Sequence, residues 1–181
     1  YQAKLDNKKP SLSSMLSAFD SAWRSEGFVS LKHEKSRFKR GHEVIKQYYA
    51  THQDRLEMPL FVEKPFNLVL PNIKLVIRGR YDAVFTTEEG VEIRDFKTSE
   101  VKDEKTALKK VRDSLQLRVY ALAWQNLQKS PVNKVSLSFV ENSLTVGIVA
   151  PDASKTIAKL KSISDSIITG EFRSKLGGRA Q

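Results

Sequence analysis

The sequence predicts an α/β domain in which helices flank a central mixed β-sheet that contains an antiparallel meander. Three observations support this prediction. Two amphipathic helical segments open the chain, three strand-like segments with short turns follow, and then come a long helical segment, two more strands and a last helix. The 181 residues, 40% of them hydrophobic, are enough for one domain with a sizeable core.

Apolar residues spaced three and four apart predict two helices near the N-terminus. The first covers residues 11–28, where Gly27 stands at the place of a C-terminal cap. The second covers residues 34–50. The polar segment 51–59 contains a proline and is predicted to be a connection.

Alternating apolar and polar residues predict strands over residues 60–70, 74–85 and 91–97. Pro71-Asn72 and residues 86–90 supply the turns between them. Strands joined by such short connections pair antiparallel, so these three form the meander.

The rest of the chain is predicted to alternate between helix and strand. Its elements are a helical segment at 102–128, strands at 134–140 and 144–149, and a helix at 151–169. We therefore expect one domain over residues 11–169, between a polar extension (1–10) and a basic tail (170–181) that frays.

The composition narrows the classes of function. The net charge of +10 favours a polyanionic partner, of which nucleic acid is the commonest, although a solvated basic surface would give the same charge. The absence of cysteine excludes disulfides, zinc–thiolate sites and cysteine-ligated iron–sulfur clusters. No apolar run is long enough to span a membrane, and the N-terminus does not resemble a signal peptide. We expect a cytoplasmic protein.

The segment RGRYDAVFTTEEGVEIRDFKTS, residues 78–99, carries the chemistry. Because alternate strand residues share a face, Val91, Ile93, Asp95 and Lys97 lie on one side of their strand. Burying that carboxylate and ammonium is costly unless a metal or an anionic substrate compensates. Asp82 lies one hairpin away and can stand beside them.

Two carboxylates and a lysine suit the hydrolysis of phosphodiesters. Asp82 and Asp95 offer the hard oxygen ligands that Mg²⁺ or Mn²⁺ prefers. Lys97 would orient the attacking water or stabilise the charge that develops on the phosphorus group. Taken alone, a D-x-K pattern is more often an ordinary ion pair at a strand end.

Three segments together resemble the RecB-like branch of the PD-(D/E)XK nuclease superfamily. They are G-R-Y-D at 79–82, D-F-K-T-S at 95–99, and Gln116-Leu-Arg-Val-Tyr120 on the following helix. The family has a G-x-x-D strand, a D-Y-K-T strand and a Q-x-x-x-Y helix, in that order. The resemblance implies a restriction-endonuclease-like core and a metal-dependent deoxyribonuclease. It further implies that Gln116 and Tyr120 face the site and position the lysine and the DNA backbone.

The resemblance also bears on two further candidates for metal binding. Glu63 matches an acid on the first strand of such domains and is a candidate ligand of metal or water, although a surface glutamate would look the same. Many relatives carry a metal-ligating histidine four residues after a helix glycine. Here Ile45 stands four residues after Gly41, and His42 lies elsewhere on the helix. The chain is more similar to members fused to UvrD/Rep-type helicases, which lack this histidine.

Basic residues around the helix after the D-F-K-T strand are candidate DNA contacts. Phosphate contacts would make binding sensitive to salt and largely independent of sequence, whereas a solvated helix face balanced by acids would explain the same residues. The candidates are Lys102, Lys105, Lys109, Lys110, Arg112 and Arg118.

The sequence thus predicts a Mg²⁺- or Mn²⁺-dependent DNA nuclease from a larger repair or recombination helicase–nuclease, with single-stranded ends as the substrate. It has no phosphate-binding G-x-x-x-x-G-K-[ST] loop, so no nucleotide cofactor is expected and the ATPase would lie in another domain or subunit. One alternative is a catalytically degenerate copy of the fold that binds DNA or braces a partner. Another is a base-reading restriction-type endonuclease, which the Q-x-x-x-Y helix disfavours.

Overall fold

A five-stranded mixed sheet lies at the centre of this computed structural model, which describes residues 6, 10–52 and 58–170. Its strands are β1 (Pro59–Leu70), β2 (Leu75–Thr87), β3 (Gly90–Lys97), β4 (Lys134–Phe139) and β5 (Leu144–Val149). They lie in chain order, with β3 and β4 parallel and the other neighbours antiparallel. The predicted mixed sheet with an antiparallel meander is confirmed.

Five α-helices accompany the sheet in the described part of the chain. They are α1 (Leu12–Ala22), α2 (Leu31–His52), α3 (Glu104–Asp113), α4 (Leu115–Gln128) and α5 (Ala153–Thr169). The parallel pairing of β3 with β4 requires a crossover, which α3 and α4 supply. Apolar residues of α3, α4 and α5 join those of the sheet in one core.

None of the described helices is long and apolar enough to cross a membrane.

The helical segment predicted at 102–128 is two helices rather than one. Ser114 is extended, with φ −70° and ψ 106°. Its N–H donates to the Val111 carbonyl and closes α3, while its side chain accepts from the Leu117 N–H and caps α4. Periodicity does not reveal this break, because the cap satisfies the exposed backbone groups without disturbing the apolar pattern.

The first helix is shorter than predicted, because it ends at Ala22 instead of residue 28. Trp23 turns out of the helix and stacks on Phe28 with ring centroids 5.4 Å apart, and it contacts Phe19 at 5.2 Å. Gly27 has a positive φ of 87°, but it lies in the loop after the helix and is not its cap.

Most of the predicted extension (1–10) and of the basic tail (170–181) falls outside the described residues. The same holds for residues 53–57 of the predicted connection.

Strand β3 is buried on both faces. Ile93 is buried in the main core, but Glu92 and Arg94 on the opposite face are also only 2% and 7% exposed. Arg94 lies over the Phe85 ring and donates through Nε to Glu92 Oε1 at 3.0 Å. The opposite face therefore holds a buried polar cluster that alternation alone does not predict.

Gly79 on β2 leaves room for the Phe66 ring of β1. A Cβ at Gly79 would fall on that ring, which also contacts Tyr81 and Tyr120 at centroid distances of 4.6 and 5.7 Å. We expect Gly79→Ala to destabilise the domain by about 1–3 kcal/mol, because overpacking here displaces a buried aromatic cluster. Urea unfolding measures this, with Asn67→Ala at the exposed position beside Phe66 as the control. Unchanged stability would show that the cluster can move aside.

Candidate active site

Asp82 and Asp95 stand side by side on adjacent strands. The β2–β3 register pairs Ala83 with Arg94, so its next position sets Asp82 opposite Asp95. Asp82 Oδ2 accepts from the Phe96 backbone N–H at 2.9 Å. Asp95 is 1% exposed. Two carboxylates thus meet where the β2–β3 pairing ends.

Gln116 joins three of the predicted site residues in one network. Its Nε2 donates to Asp95 Oδ1 and to Tyr120 Oη, each at 2.7 Å. Its Oε1 accepts from Lys97 Nζ at 3.0 Å. The break at Ser114 places Gln116 in the first turn of α4, and Tyr120 follows one turn later on the same side.

Lys97 and Asp95 form the charged centre of this network. Lys97 Nζ lies 2.6 Å from Asp95 Oδ2 and forms an ion pair with it. Burial raises the pKa of the Asp95 carboxyl; Lys97 opposes this, and the neighbouring Asp82 charge adds to it. The site therefore holds two carboxylates that repel each other in a poorly solvated position.

Glu63 stands across the β1–β2 pairing from Asp82. The pairs Val62–Ala83 and Lys64–Tyr81 lie on either side of it, and Glu63 itself has a left-handed φ of 52°. Such a backbone is unfavourable for a residue with a side chain, and strained positions of this kind cluster at active sites and ligand clamps. The Glu63 carboxylate contacts Arg80, with Oε2 2.7 Å from Nε.

Two tyrosines, Tyr120 and Tyr81, lie close to the carboxylates of the site. Burial raises the pKa of Tyr120; the Gln116 hydrogen bond opposes this, and Asp95, Asp82 and Glu63 add to it in that order. Glu63 is therefore close enough to act electrostatically on the same hydroxyl as the two aspartates. Tyr81 packs on Tyr120 with centroids 5.4 Å apart. Tyr81 is only 2% exposed and its hydroxyl has no hydrogen-bond partner.

His42 belongs to the contact between α1 and α2. Its Nε2 lies 2.6 Å from Asp20 Oδ1, and its ring packs on Phe19 and Phe38 with centroids 5.4 and 4.7 Å away. Its side chain is thus engaged by residues of α1 and α2.

The predicted DNA-contact residues are mostly exposed. Lys109 pairs with Asp113 at 2.7 Å, and the Arg118 Nη2 donates to the Arg112 carbonyl at 2.7 Å. Arg118 therefore braces the junction of α3 and α4. The exposed members of the set are Lys102, Lys105, Lys109, Lys110 and Arg112.

The donor atoms suit a hard divalent cation. Mg²⁺ is commonly bound through one or two carboxylates, with waters completing its shell, and Asp82 and Asp95 provide two carboxylates. Asp95 Oδ2 is buried and lies 2.6 Å from Lys97 Nζ, so a cation bound here would share this oxygen with the ammonium. Within the part of the chain that the structure describes, no three histidine, aspartate or glutamate side chains form a metal-binding group. The third carboxylate nearby, that of Glu63, is paired with Arg80.

Sequence reasoning identified the aspartates, the lysine and the Q-x-x-x-Y pair, and the structure brings these five together. It did not single out Arg80 or Tyr81, although both stand inside the R-G-R-Y-D segment. The signal for Arg80 was its position two residues before Asp82. The signal for Tyr81 was an aromatic residue beside a carboxylate in a buried strand.

Comparison with known proteins places this geometry in a family. The family model of the PD-(D/E)XK nuclease superfamily matches residues 1–172. No curated protein matches the chain. Among 17 matching chains of solved structures is a Eubacterium rectale protein provisionally named an exonuclease. It is 12% identical with a TM-score of 0.51, and the match covers 99% of this chain and 80% of that one. It supports the restriction-endonuclease-like fold, and by the family match the chain belongs to the PD-(D/E)XK nuclease superfamily.

Proposed function

We propose that this nuclease domain hydrolyses DNA phosphodiester bonds with a Mg²⁺ or Mn²⁺ ion held by Asp82 and Asp95. The observation that carries the proposal is the Gln116 network, which joins Lys97, Asp95 and Tyr120 beside Asp82. Five polar side chains from two strands and one helix thus meet at one end of β3. An ordinary ion pair at a strand end would need only two of them.

Each residue of the candidate site has a distinct role in the proposed hydrolysis. When bound, a divalent cation polarises the phosphoryl group and makes hydroxide available near neutral pH. Lys97, held by Gln116, places its ammonium beside the reacting phosphate and stabilises the charge that develops there. Gln116 fixes the relative positions of Asp95, Lys97 and Tyr120, because it forms a hydrogen bond with each of them. One carboxylate oxygen of Asp82 accepts a hydrogen bond from the Phe96 N–H, and the other oxygen would bind the cation.

DNA is the substrate that this superfamily membership implies, and we propose that single-stranded ends are preferred. The net charge of +10 and the exposed basic residues of α3 supply contacts to phosphates that carry no base information. We further propose that the domain works within a repair or recombination helicase–nuclease, because its α1–α2 region resembles members fused to UvrD/Rep-type helicases.

The test is cleavage of labelled single- and double-stranded DNA in Mg²⁺ or Mn²⁺ by wild type and Lys97→Ala. We expect the variant to lose about 10²–10³-fold in rate, because it lacks the charge that stabilises the transition state. Lys159→Ala, which removes the same charge from an exposed position on α5, serves as the control.

Cleavage by Lys97→Ala at the wild-type rate would refute the assigned role. DNA binding by wild type without cleavage in either metal would instead support the degenerate, DNA-binding copy of the fold. That alternative draws on one observation: Ile45 occupies the position of the histidine that many relatives use.

A further inference from the structure

The contact between Arg80 and Glu63 occupies a carboxylate beside the proposed metal site. Arg80 Nε lies 2.7 Å from Glu63 Oε2, and the two side chains are 65% and 54% exposed. Arg80 precedes Asp82 by two residues on β2, and Glu63 faces Asp82 from β1. The guanidinium therefore holds an acid that stands across from a proposed ligand.

Two observations indicate that Glu63 can act on the site. It lies near enough to raise the pKa of Tyr120, whose hydroxyl bonds to the same Gln116 amide as Asp95. Its left-handed backbone, φ 52°, departs from the extended conformation of β1, close to the irregularity that the strand has between Pro59 and Phe61. A left-handed backbone opposite Asp82 indicates that contacts at the site, and not strand pairing, set the direction of the Glu63 side chain.

The Glu63 carboxylate can separate from the Arg80 guanidinium at low cost. An ion pair as exposed as this one holds its partners weakly, because water solvates both charges. A divalent cation between Asp82 and Asp95 attracts a further carboxylate more strongly than a single guanidinium does, since it carries twice the charge and forms a direct bond to oxygen.

We propose that Arg80 is a latch that competes with the metal ion for Glu63. The inference rests on the proposed metal site at Asp82 and Asp95. Glu63 is paired with Arg80 in the structure. A cation at Asp82 and Asp95 would draw Glu63 away from Arg80 and gain a third carboxylate. Arg80 thus acts through Glu63, as a positioning residue that lowers the affinity for the metal.

The experiment measures binding of Mn²⁺ alone, without DNA, by electron paramagnetic resonance of the free ion. We expect Arg80→Gln to bind Mn²⁺ about two- to fivefold more tightly, because Glu63 no longer has a competing partner. Glu63→Gln should bind it more weakly than wild type. In the double variant, Arg80→Gln should add no tightening to Glu63→Gln, since the latch works only through that carboxylate.

Arg78→Gln controls for the loss of one positive charge from β2. Arg78 is exposed and lies four residues, about 13 Å of strand, from Asp82, which exceeds the screening length of about 8 Å at physiological salt. Its Mn²⁺ affinity should stay near that of wild type. The latch is overturned if Arg80→Gln has the same Mn²⁺ affinity as Arg78→Gln. It is also overturned if Arg80→Gln still tightens Mn²⁺ binding when Glu63→Gln is present.

Asp95→Asn separates the latch from the site on which it rests. If wild type shows no Mn²⁺ binding that Asp95→Asn removes, the proposed metal site fails and the latch fails with it. If that binding is present but Arg80→Gln does not strengthen it, the latch alone is wrong. Circular dichroism confirms that each variant is folded before its affinity is compared.

Discussion

Asp95→Asn is expected to reduce DNA cleavage by about a thousandfold or more while leaving the domain at least as stable as wild type. The substitution removes one of two carboxylates proposed to hold the cation, and loss of several kcal/mol of transition-state stabilisation corresponds to about this factor. Asparagine keeps the shape of the side chain, and its Oδ1 can still accept from the Gln116 amide.

The effect on stability follows from the sign of the pKa shift. Burial raises the pKa of Asp95, so the folded state favours the protonated form. The resulting stabilisation is complete below about pH 4, the usual pKa of aspartate, and is lost as pH rises through the raised value. Ionised Asp95 therefore costs stability at neutral pH, and neutral asparagine avoids that cost.

The measurement combines cleavage rates with thermal unfolding from acid to neutral pH. The melting temperature of Asp95→Asn should equal or exceed that of wild type at neutral pH, and its advantage should shrink in acid. Asp165→Asn, at an exposed position of α5, is the matched control. A fall of several degrees at neutral pH would mean that the Asp95–Lys97 ion pair outweighs the burial of its charge.

Glu92→Gln is expected to destabilise the domain by about 3 kcal/mol with no direct effect on the chemistry. Glu92 Oε1 accepts from Arg94 Nε at 3.0 Å and from the Ser136 hydroxyl at 2.6 Å, and Lys134 Nζ lies 3.3 Å from Oε2. The neutral amide removes the charge that balances two cations, one of them buried. Removing one member of a buried ion pair costs far more than removing an exposed one.

The stability contributed by Glu92 should also depend on pH. Burial by itself would raise the pKa of Glu92, but Arg94, Ser136 and Lys134 together outweigh burial and lower it. A lowered pKa gives stability that is present above the usual glutamate value and is lost as pH falls through the folded-state value. The difference between wild type and Glu92→Gln should therefore narrow below about pH 4.

Urea unfolding at neutral and acid pH measures both effects. Glu88→Gln, in the exposed turn between β2 and β3, removes the same charge without burial. Cleavage per folded molecule should be unchanged, because Glu92 faces away from Asp95 on β3. Equal free energies of unfolding for wild type and Glu92→Gln would show that the charge of Glu92 makes no net contribution to the stability of the domain.

Local periodicity was sufficient for the type and order of the elements in the described chain, but not for their number, because the helical segment predicted at 102–128 is two helices. Strands alternate every two residues and helices recur every three to four, so the pattern appears in any window of the sequence. The break at Ser114 and the early end of α1 were missed for one reason. A serine cap and an aromatic contact end a helix through specific side-chain bonds, which leave the apolar pattern almost unchanged.

The sequence by itself determined which residues form the candidate site, since Asp82, Asp95, Lys97, Gln116 and Tyr120 stand in a recognisable order. Only the tertiary structure decided how they meet. Contacts such as Gln116 with Asp95, or Arg80 with Glu63, join residues 17 to 21 positions apart. Whether such side chains touch depends on strand register and on where α4 packs, and those follow from the sum of many weak long-range contacts. The same dependence explains why the partner of Glu63 appeared only in the folded chain.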